Sequence, residues 1–215
     1  MKIKIVRSIL EANDRIAEEN RLLFKEKGLF VVNLMSGPGA GKTSVLVETI
    51  KRLKEKGVQS AVIEGDIEGT EDADRISALE VPVVQINTGG ACHLDANMVR
   101  QAVQDLELNG AKILFIENVG NLVCPAEFYV GEDMKVMVLS VTEGEDKPTK
   151  YPLMFRESKT LLINKIDLLP YLDLDLEKLK NTASKINPSL KMFDISCKTG
   201  KGIDKWVDYL LEFIN

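Results

Sequence analysis

Ser36-Gly37-Pro38-Gly39-Ala40-Gly41-Lys42-Thr43 follows a short apolar run and opens a segment of helical period, which is the setting of a phosphate-binding loop. Its glycines let backbone N–H groups converge on an anion with no Cβ in the way. The helix behind it offers a positive N-terminal end. Gly37, Pro38, Gly39, Ala40, Gly41, Lys42, Thr43 and Ser44 are the expected nucleotide contacts. Lys42 reaches the outer phosphates, and the Thr43 hydroxyl ligates Mg²⁺. Ser36 stands where the usual pattern has a glycine, and Gly37 beside it supplies the flexibility.

Other residues choose the base. Asn164-Lys165-Ile166-Asp167 comes directly after the apolar run Thr160–Ile163 and resembles the guanine-specificity motif of GTPases. A carboxylate such as Asp167 accepts from both the N1–H and the exocyclic amine of guanine, a donor pair that adenine lacks. Asn164 braces the loop and the Lys165 stem lies over the base plane. Ser196-Cys197-Lys198, after another strand, resembles the second guanine loop, with Cys197 where alanine is common. Ile113–Ile116 leads into Glu117-Asn118-Val119-Gly120, where many GTPases read Asp-x-x-Gly. Gly120 is then the γ-phosphate sensor, Glu117 replaces the aspartate, and no glutamine follows to orient water. Asp66 is a second acid near a strand end, where ligands bind in such sheets; its plainer role is a turn or helix-entry residue. Lys42, Asp66 and Glu117 form the expected catalytic set. Glu117 and Asp66 hold Mg²⁺ directly or through water, and one of them positions the attacking water in an intrinsically slow GTPase.

The only histidine, His93, sits beside Cys92, and Cys124 lies shortly after Gly120. Two thiolates and an imidazole suit Zn²⁺ or Ni²⁺. Three ligands leave a four-coordinate site incomplete, and symmetric pairing of two chains brings six such groups together. The plainer alternative is two buried cysteines and an exposed histidine. A change of nucleotide state at Gly120 moves Cys124 directly if the site exists.

The elements that must position these residues are visible as seven short Val- and Ile-rich runs: Leu29–Met35, Ser60–Ile63, Val83–Ile86, Ile113–Ile116, Val136–Val141, Thr160–Ile163 and Met192–Ile195. They are continuous rather than alternating, as in strands buried on both faces. Segments of helical period lie between them: Thr43–Lys56, Thr70–Leu79, Asp95–Leu108, Leu176–Lys185 and Ile203–Ile214. The fold class is α/β, a P-loop NTPase with a mostly parallel central sheet flanked by helices on both faces. Arg7–Lys27 predicts an N-terminal helix with Ile9, Ile16 and Leu23 on its apolar face. Residues 1–215 read as one P-loop GTPase domain, with 1–28 as the helical segment. Pro148 and Pro152 mark an irregular loop, and Lys147, Lys150 and Tyr151 within it read as a solvated basic stretch or a contact across a dimer.

Of 215 residues, 45% are hydrophobic and 28% charged, with a net charge of -5. That balance gives no global drive toward nucleic acid or an anionic membrane. No secretion signal and no membrane-spanning run are evident, so a cytoplasmic protein with reduced cysteines is expected.

Gly-Gly-x-Cys-His-Leu-Asp, Glu-Asn-Val-Gly-Asn-Leu-Val-Cys-Pro and Asn-Lys-x-Asp together resemble the HypB family, SIMIBI-class P-loop GTPases that serve nickel insertion into [NiFe]-hydrogenase. UreG, the urease counterpart, carries a Cys-Pro-His motif that this chain lacks. The resemblance implies a GTP-dependent homodimer with a Ni²⁺ or Zn²⁺ site of Cys92, His93 and Cys124 at its interface, cycling between GTP and GDP. It also implies partnership with the nickel-binding accessory protein HypA and the hydrogenase large-subunit precursor. Some members carry an N-terminal Cys-rich or His-rich nickel tract. No Cys or His precedes Cys92 here, so bulk nickel storage is not expected. The competing functions are a regulatory P-loop GTPase that controls protein docking, with structural cysteines, and a P-loop ATPase or small-molecule kinase.

Overall fold

The protein is described as a computed structural model covering residues 2–66 and 71–214, with side chains from residue 10 onward except that of residue 71. All seven apolar runs form strands, most of them within a residue or two of the expected limits. In chain order the elements are α1 (Lys2–Glu26), β1 (Phe30–Ser36), α2 (Lys42–Glu55), β2 (Ser60–Asp66), α3 (Glu71–Ser77), β3 (Val83–Asn87), α4 (Ala96–Asp105), β4 (Ile113–Glu117) and α5 (Cys124–Glu127). They continue with β5 (Met134–Ser140), α6 (Lys147–Lys150), α7 (Pro152–Glu157), β6 (Thr160–Asn164), α8 (Leu176–Ile186), β7 (Lys191–Asp194) and α9 (Ile203–Leu211).

The strands form one parallel sheet in the order β3-β2-β4-β1-β5-β6-β7. Successive residues of β1 point to opposite faces. Val32 and Leu34 join a core with α2, α3 and α9, centred on the buried Trp206. On the other face Val31 packs with α1 and α4, and Met35 with α7 and α8. Because every strand runs the same way, all strand C-termini open on one edge, and the phosphate loop leaves the middle of that edge from β1.

Two expectations change. The loop holding Pro148 and Pro152 is helical: both prolines sit in the first turn of α6 and α7, where the missing N–H costs nothing. The N-terminal helix spans Lys2–Glu26, and among its described side chains the buried stripe is Asn13, Ala17, Asn20 and Phe24. Ile16 and Leu23 flank that stripe half-buried. The Ile9 side chain and residue Thr70 lie outside the described residues.

Two asparagines sit in the α1 stripe because they have fixed partners. Asn13 Nδ2 donates to the Tyr129 carbonyl (2.8 Å), and its Oδ1 accepts from Ala96 N–H (2.9 Å). Asn20 Nδ2 donates to the carbonyls of Ala96 (2.8 Å) and Val130 (3.1 Å). α1 is thereby pinned to the start of α4 and to the segment after α5. Gly131 allows that approach, since a Cβ there would lie 2.7 Å from Asn20 Cβ and 2.8 Å from the Ala17 carbonyl.

Candidate functional site

The loop between β1 and α2 turns through Gly39 (φ 75°) and Gly41 (φ 92°), a region open to glycine at little cost. The second turn is also crowded: a Cβ on Gly41 would meet Asn164 Nδ2 at 2.6 Å. Asn164, at the end of β6, donates from Nδ2 to the Ala40 carbonyl (3.0 Å). Its Oδ1 accepts from Cys197 N–H (3.4 Å). One buried amide thus braces the phosphate loop and the loop after β7 together. Lys165 sits at φ 63°, and its Nζ donates to the Gly39 carbonyl (2.7 Å). Ser196 Oγ donates to Asp167 Oδ1 (2.6 Å). Burial pushes the Cys197 thiol up to about 11, so it packs as a neutral group.

These residues line two adjoining clefts. One is bounded by Asn164, Lys165, Asp167, Leu168, Cys197 and Lys198. The other is bounded by Ser36 to Gly39, Lys42, Thr43, Asp66, Asp72, Val119 and Gly120. Gly41, Ser44, Arg75 and Lys165 belong to both. The first has the shape and donor set for a base, the second for phosphates.

Glu117 ends β4 beneath the phosphate loop and is 1% exposed. Its Oε1 accepts from Thr43 Oγ1 (2.7 Å) and Lys42 Nζ (3.1 Å), while Oε2 is buried with no partner. A buried carboxylate oxygen without a donor, next to a hydroxyl and with Asp66 on the same cleft, is a hard-oxygen set that fits Mg²⁺. Glu64 pairs in register with Glu117 across β2 and β4. Burial, then Glu117 and Asp66, push its carboxyl up to about 8, and its Oε2 also has no partner. Arg75 and Asp72 of α3 complete the phosphate side. Sequence reasoning missed Glu64, Asp72 and Arg75. The signal for Glu64 was an acid inside an apolar strand two residues before Asp66.

The second cluster lies beyond Gly120. Cys92 Sγ is 3.0 Å from Cys124 Sγ and 3.6 Å from His93 Nδ1. The three ligand atoms all lie within 4.8 Å of one another, with Cys92 exposed and the other two half-buried. The alternative of two buried cysteines is therefore not what forms here. The His93 ring lies against Phe128, centroids 3.8 Å apart. Burial lowers the His93 pKa, which favours the neutral imidazole that ligates metals. The Cys92 sulfur and partial burial raise the Cys124 thiol.

Asp95 caps α4, accepting from Met98 N–H (2.8 Å), so Cys92 and His93 are held on a loop whose far end is rigid. Cys124 opens α5 with Pro125 behind it. The sequence placed Cys124 shortly after Gly120 and His93 beside Cys92. It held no sign of Phe128.

A family model described as "CobW/HypB/UreG, nucleotide-binding domain" matches residues 30–194. Hydrogenase maturation factor HypB of Escherichia coli (strain K12) is 52% identical over 94% of this chain and 69% of that protein. The crystal structure of hydrogenase maturation factor HypB from Archaeoglobus fulgidus has a TM-score of 0.89 at 38% identity, covering 96% of this chain and 100% of that one. HypB from Helicobacter pylori in complex with nickel matches equally well, with a TM-score of 0.89 at 38% identity over 94% of each chain.

Proposed function

Since the chain belongs to the CobW/HypB/UreG family, on the HypB side of it, we propose that it is a GTP-hydrolysing metallochaperone that delivers nickel for hydrogenase maturation. The P-loop fold of this family implies nucleotide hydrolysis; guanine as the base, the dimer and the route of delivery are our reading. The observation that carries it is the Cys92–His93–Cys124 cluster, joined by a short segment to Gly120 on the phosphate cleft. The nickel complex of the Helicobacter pylori relative supports the choice of cargo.

In this reading residues 1–215 act as one nucleotide-binding domain. Asp167 accepts from guanine, Lys198 and the Cys197 N–H close over the base, and Lys165 covers its face. Lys42 and the backbone N–H groups of the Gly37–Ser44 loop, Pro38 having none, hold the phosphates. Thr43, Glu117 and Asp66 would hold Mg²⁺, which would supply charge neutralisation at the transferred phosphoryl group. Lys42 would exchange its Glu117 contact for the outer phosphates, and the Thr43 hydroxyl would turn from Glu117 to Mg²⁺. One of the two acids orients water toward the γ-phosphate, giving GDP and phosphate; with no glutamine after Gly120, turnover is slow. Cys92, His93 and Cys124 hold Ni²⁺, or Zn²⁺ in its place, as cargo, and two chains paired about these loops complete its coordination. The nickel-binding accessory protein HypA and, through it, the hydrogenase large-subunit precursor are the proposed partners. The proposed compartment is the cytoplasm. Among the described residues no helix is long and apolar enough to cross a membrane.

The test is Ni²⁺ titration of Cys92→Ala combined with Cys124→Ala, followed by the Ni–thiolate charge-transfer absorption. Affinity should fall about a hundredfold with loss of the band, while guanine-nucleotide affinity holds. A band and affinity equal to those of the wild type overturn the site.

A further inference from the structure

Asn118 lies between the phosphate cleft and the metal cluster and takes part in neither directly. It follows Glu117, precedes the Val119-Gly120 turn and is completely buried. Its Oδ1 accepts two backbone N–H groups at once, those of Val119 and Leu94, each at 3.0 Å. Val119 opens the turn whose Gly120 would place a Cβ 3.3 Å from Pro38 Cα of the phosphate loop. Leu94 is the residue directly after His93. One oxygen atom therefore joins the turn that packs on the phosphate loop to the chain that carries two of the three metal ligands.

The amide is fixed from behind. Asn118 Nδ2 donates to Asn33 Oδ1 (3.2 Å), and Asn33 Nδ2 donates to Glu132 Oε1 (3.3 Å). Glu132 Oε2 accepts from Val130 N–H (2.8 Å). Asn33 is fully buried and Glu132 nearly so. With Nδ2 committed to Asn33, the amide presents its oxygen, and only its oxygen, to Leu94 and Val119.

Leu94 also has a second tie to the nucleotide side. Its side chain is fully buried, and a Cβ on Gly65 would lie 2.7 Å from Leu94 Cδ1. Gly65 immediately precedes Asp66 at the end of β2. The residue after His93 is thus seated against the ends of two strands beside the phosphate cleft, by packing at β2 and by hydrogen bonding at the end of β4. A buried N–H that loses its acceptor is costly, so a shift of the Val119-Gly120 turn carries the Asn118 oxygen and Leu94 with it.

We propose that Asn118 is the positioning residue that transmits nucleotide state from the Val119-Gly120 turn to Cys92 and His93. This rests on the metal and nucleotide sites proposed above and adds the connection between them. It also differs from a pull on Cys124 along the chain, because the path crosses from one loop to another through a side chain.

The experiment measures Ni²⁺ affinity of the full chain at saturating Mg²⁺ with either GDP or a non-hydrolysable GTP analogue. In the wild type the two affinities differ by about tenfold or more. In Asn118→Ala the ratio collapses toward one. Asn118→Asp keeps the acceptor oxygen but loses the donor to Asn33, so it recovers only part of the ratio. A residue that only stabilises the fold weakens both affinities together and leaves the ratio intact. That result in Asn118→Ala, beside a coupled wild type, overturns the relay alone. A wild-type ratio of one overturns the relay and the coupling together. Retention of the charge-transfer band in the double cysteine variant overturns the metal site itself. Should Asn118→Ala not fold, hydrogen exchange of the Leu94 amide in the unmodified protein decides. Its protection should differ between the two nucleotide states, and equal protection overturns the relay.

Discussion

The nucleotide cleft and the metal corner share one edge of the sheet, yet they are built differently. Each wall of the cleft is a single strand followed by its own loop: β1 and the phosphate loop, β6 and Asn164 to Asp167, β7 and Ser196 to Lys198. Contacts between those walls are direct and come from the motif residues themselves, such as the Asn164 bond to the Ala40 carbonyl and the Ser196 bond to Asp167. The metal corner is made of two loops from distant stretches of chain, and buried amides hold them in place. Asn118 fixes Leu94 after the first two ligands. Asn13 and Asn20 on α1 hold Ala96 on one side and Tyr129 and Val130 on the other. A cleft assembled from strand ends is rigid wherever the sheet is rigid. A corner assembled from side-chain amides can be loosened without disturbing the sheet.

The largest effect should come from removing the charge at the centre of the cleft. Lys42→Ala takes away the ammonium that now bonds Glu117 Oε1 and that reaches the outer phosphates. Hydrolysis should fall about a thousandfold, measured as phosphate release, while Ni²⁺ binding without nucleotide stays near the wild type. Loss of Ni²⁺ binding in that variant breaks the proposed separation. Next is Asp167→Asn. The carboxylate now held by Ser196 Oγ loses its ability to accept two donors, and the preference for GTP over ATP in competition binding should fall about a hundredfold. An unchanged preference removes guanine from the account.

Asn20→Ala probes the other side of the comparison. It strips the donor from two buried carbonyls, those of Ala96 and Val130, and should cost about 2–3 kcal/mol of unfolding free energy. Ni²⁺ affinity should drop with it while nucleotide affinity does not, because no described side chain of α1 lines either cleft. Gly131→Ala should act in the same direction, through contact with Ala17 and Asn20. If nucleotide and nickel affinity fell equally in both variants, α1 would be a general support and the corner would not loosen apart from the cleft.

The cleft was legible in the sequence because its chemistry is written in contiguous motifs after recognisable strands. The order of strand, loop and helix sufficed to put Lys42, Asn164, Asp167 and Cys197 on one edge. The metal trio was legible as residue types, since two thiols and the only histidine are rare groups. The buried asparagines were not. An amide on a helix or at a strand end reads as surface, and only its long-range partners show otherwise. On α1 this misled the hydrophobic pattern, because Asn13 and Asn20 are buried beside Ala17 and Phe24 among its described side chains. The prolines of α6 and α7 misled it in the opposite direction, reading as breakers where they begin helices.

The smallest effect tests whether the cleft is as fixed as the comparison holds. Glu64 lies in β2 with its carboxyl pushed up to about 8 by burial and by Glu117 and Asp66. In the unfolded chain it titrates near the ordinary 4.5. Below that value both states hold the proton and no stability depends on it. As pH rises from there to about 8, the unfolded chain releases a proton that the folded chain keeps, so stability falls across that window. Glu64→Gln has no proton to lose. In metal- and nucleotide-free protein it should gain about 1–2 kcal/mol on the wild type between the acid and alkaline ends of the window, read from denaturant unfolding at each pH. The gain stays below full linkage if the buried carboxyl draws in water when it ionises. A gain near zero means that the strand end relaxes freely around the charge, and the cleft is then no more rigid than the corner.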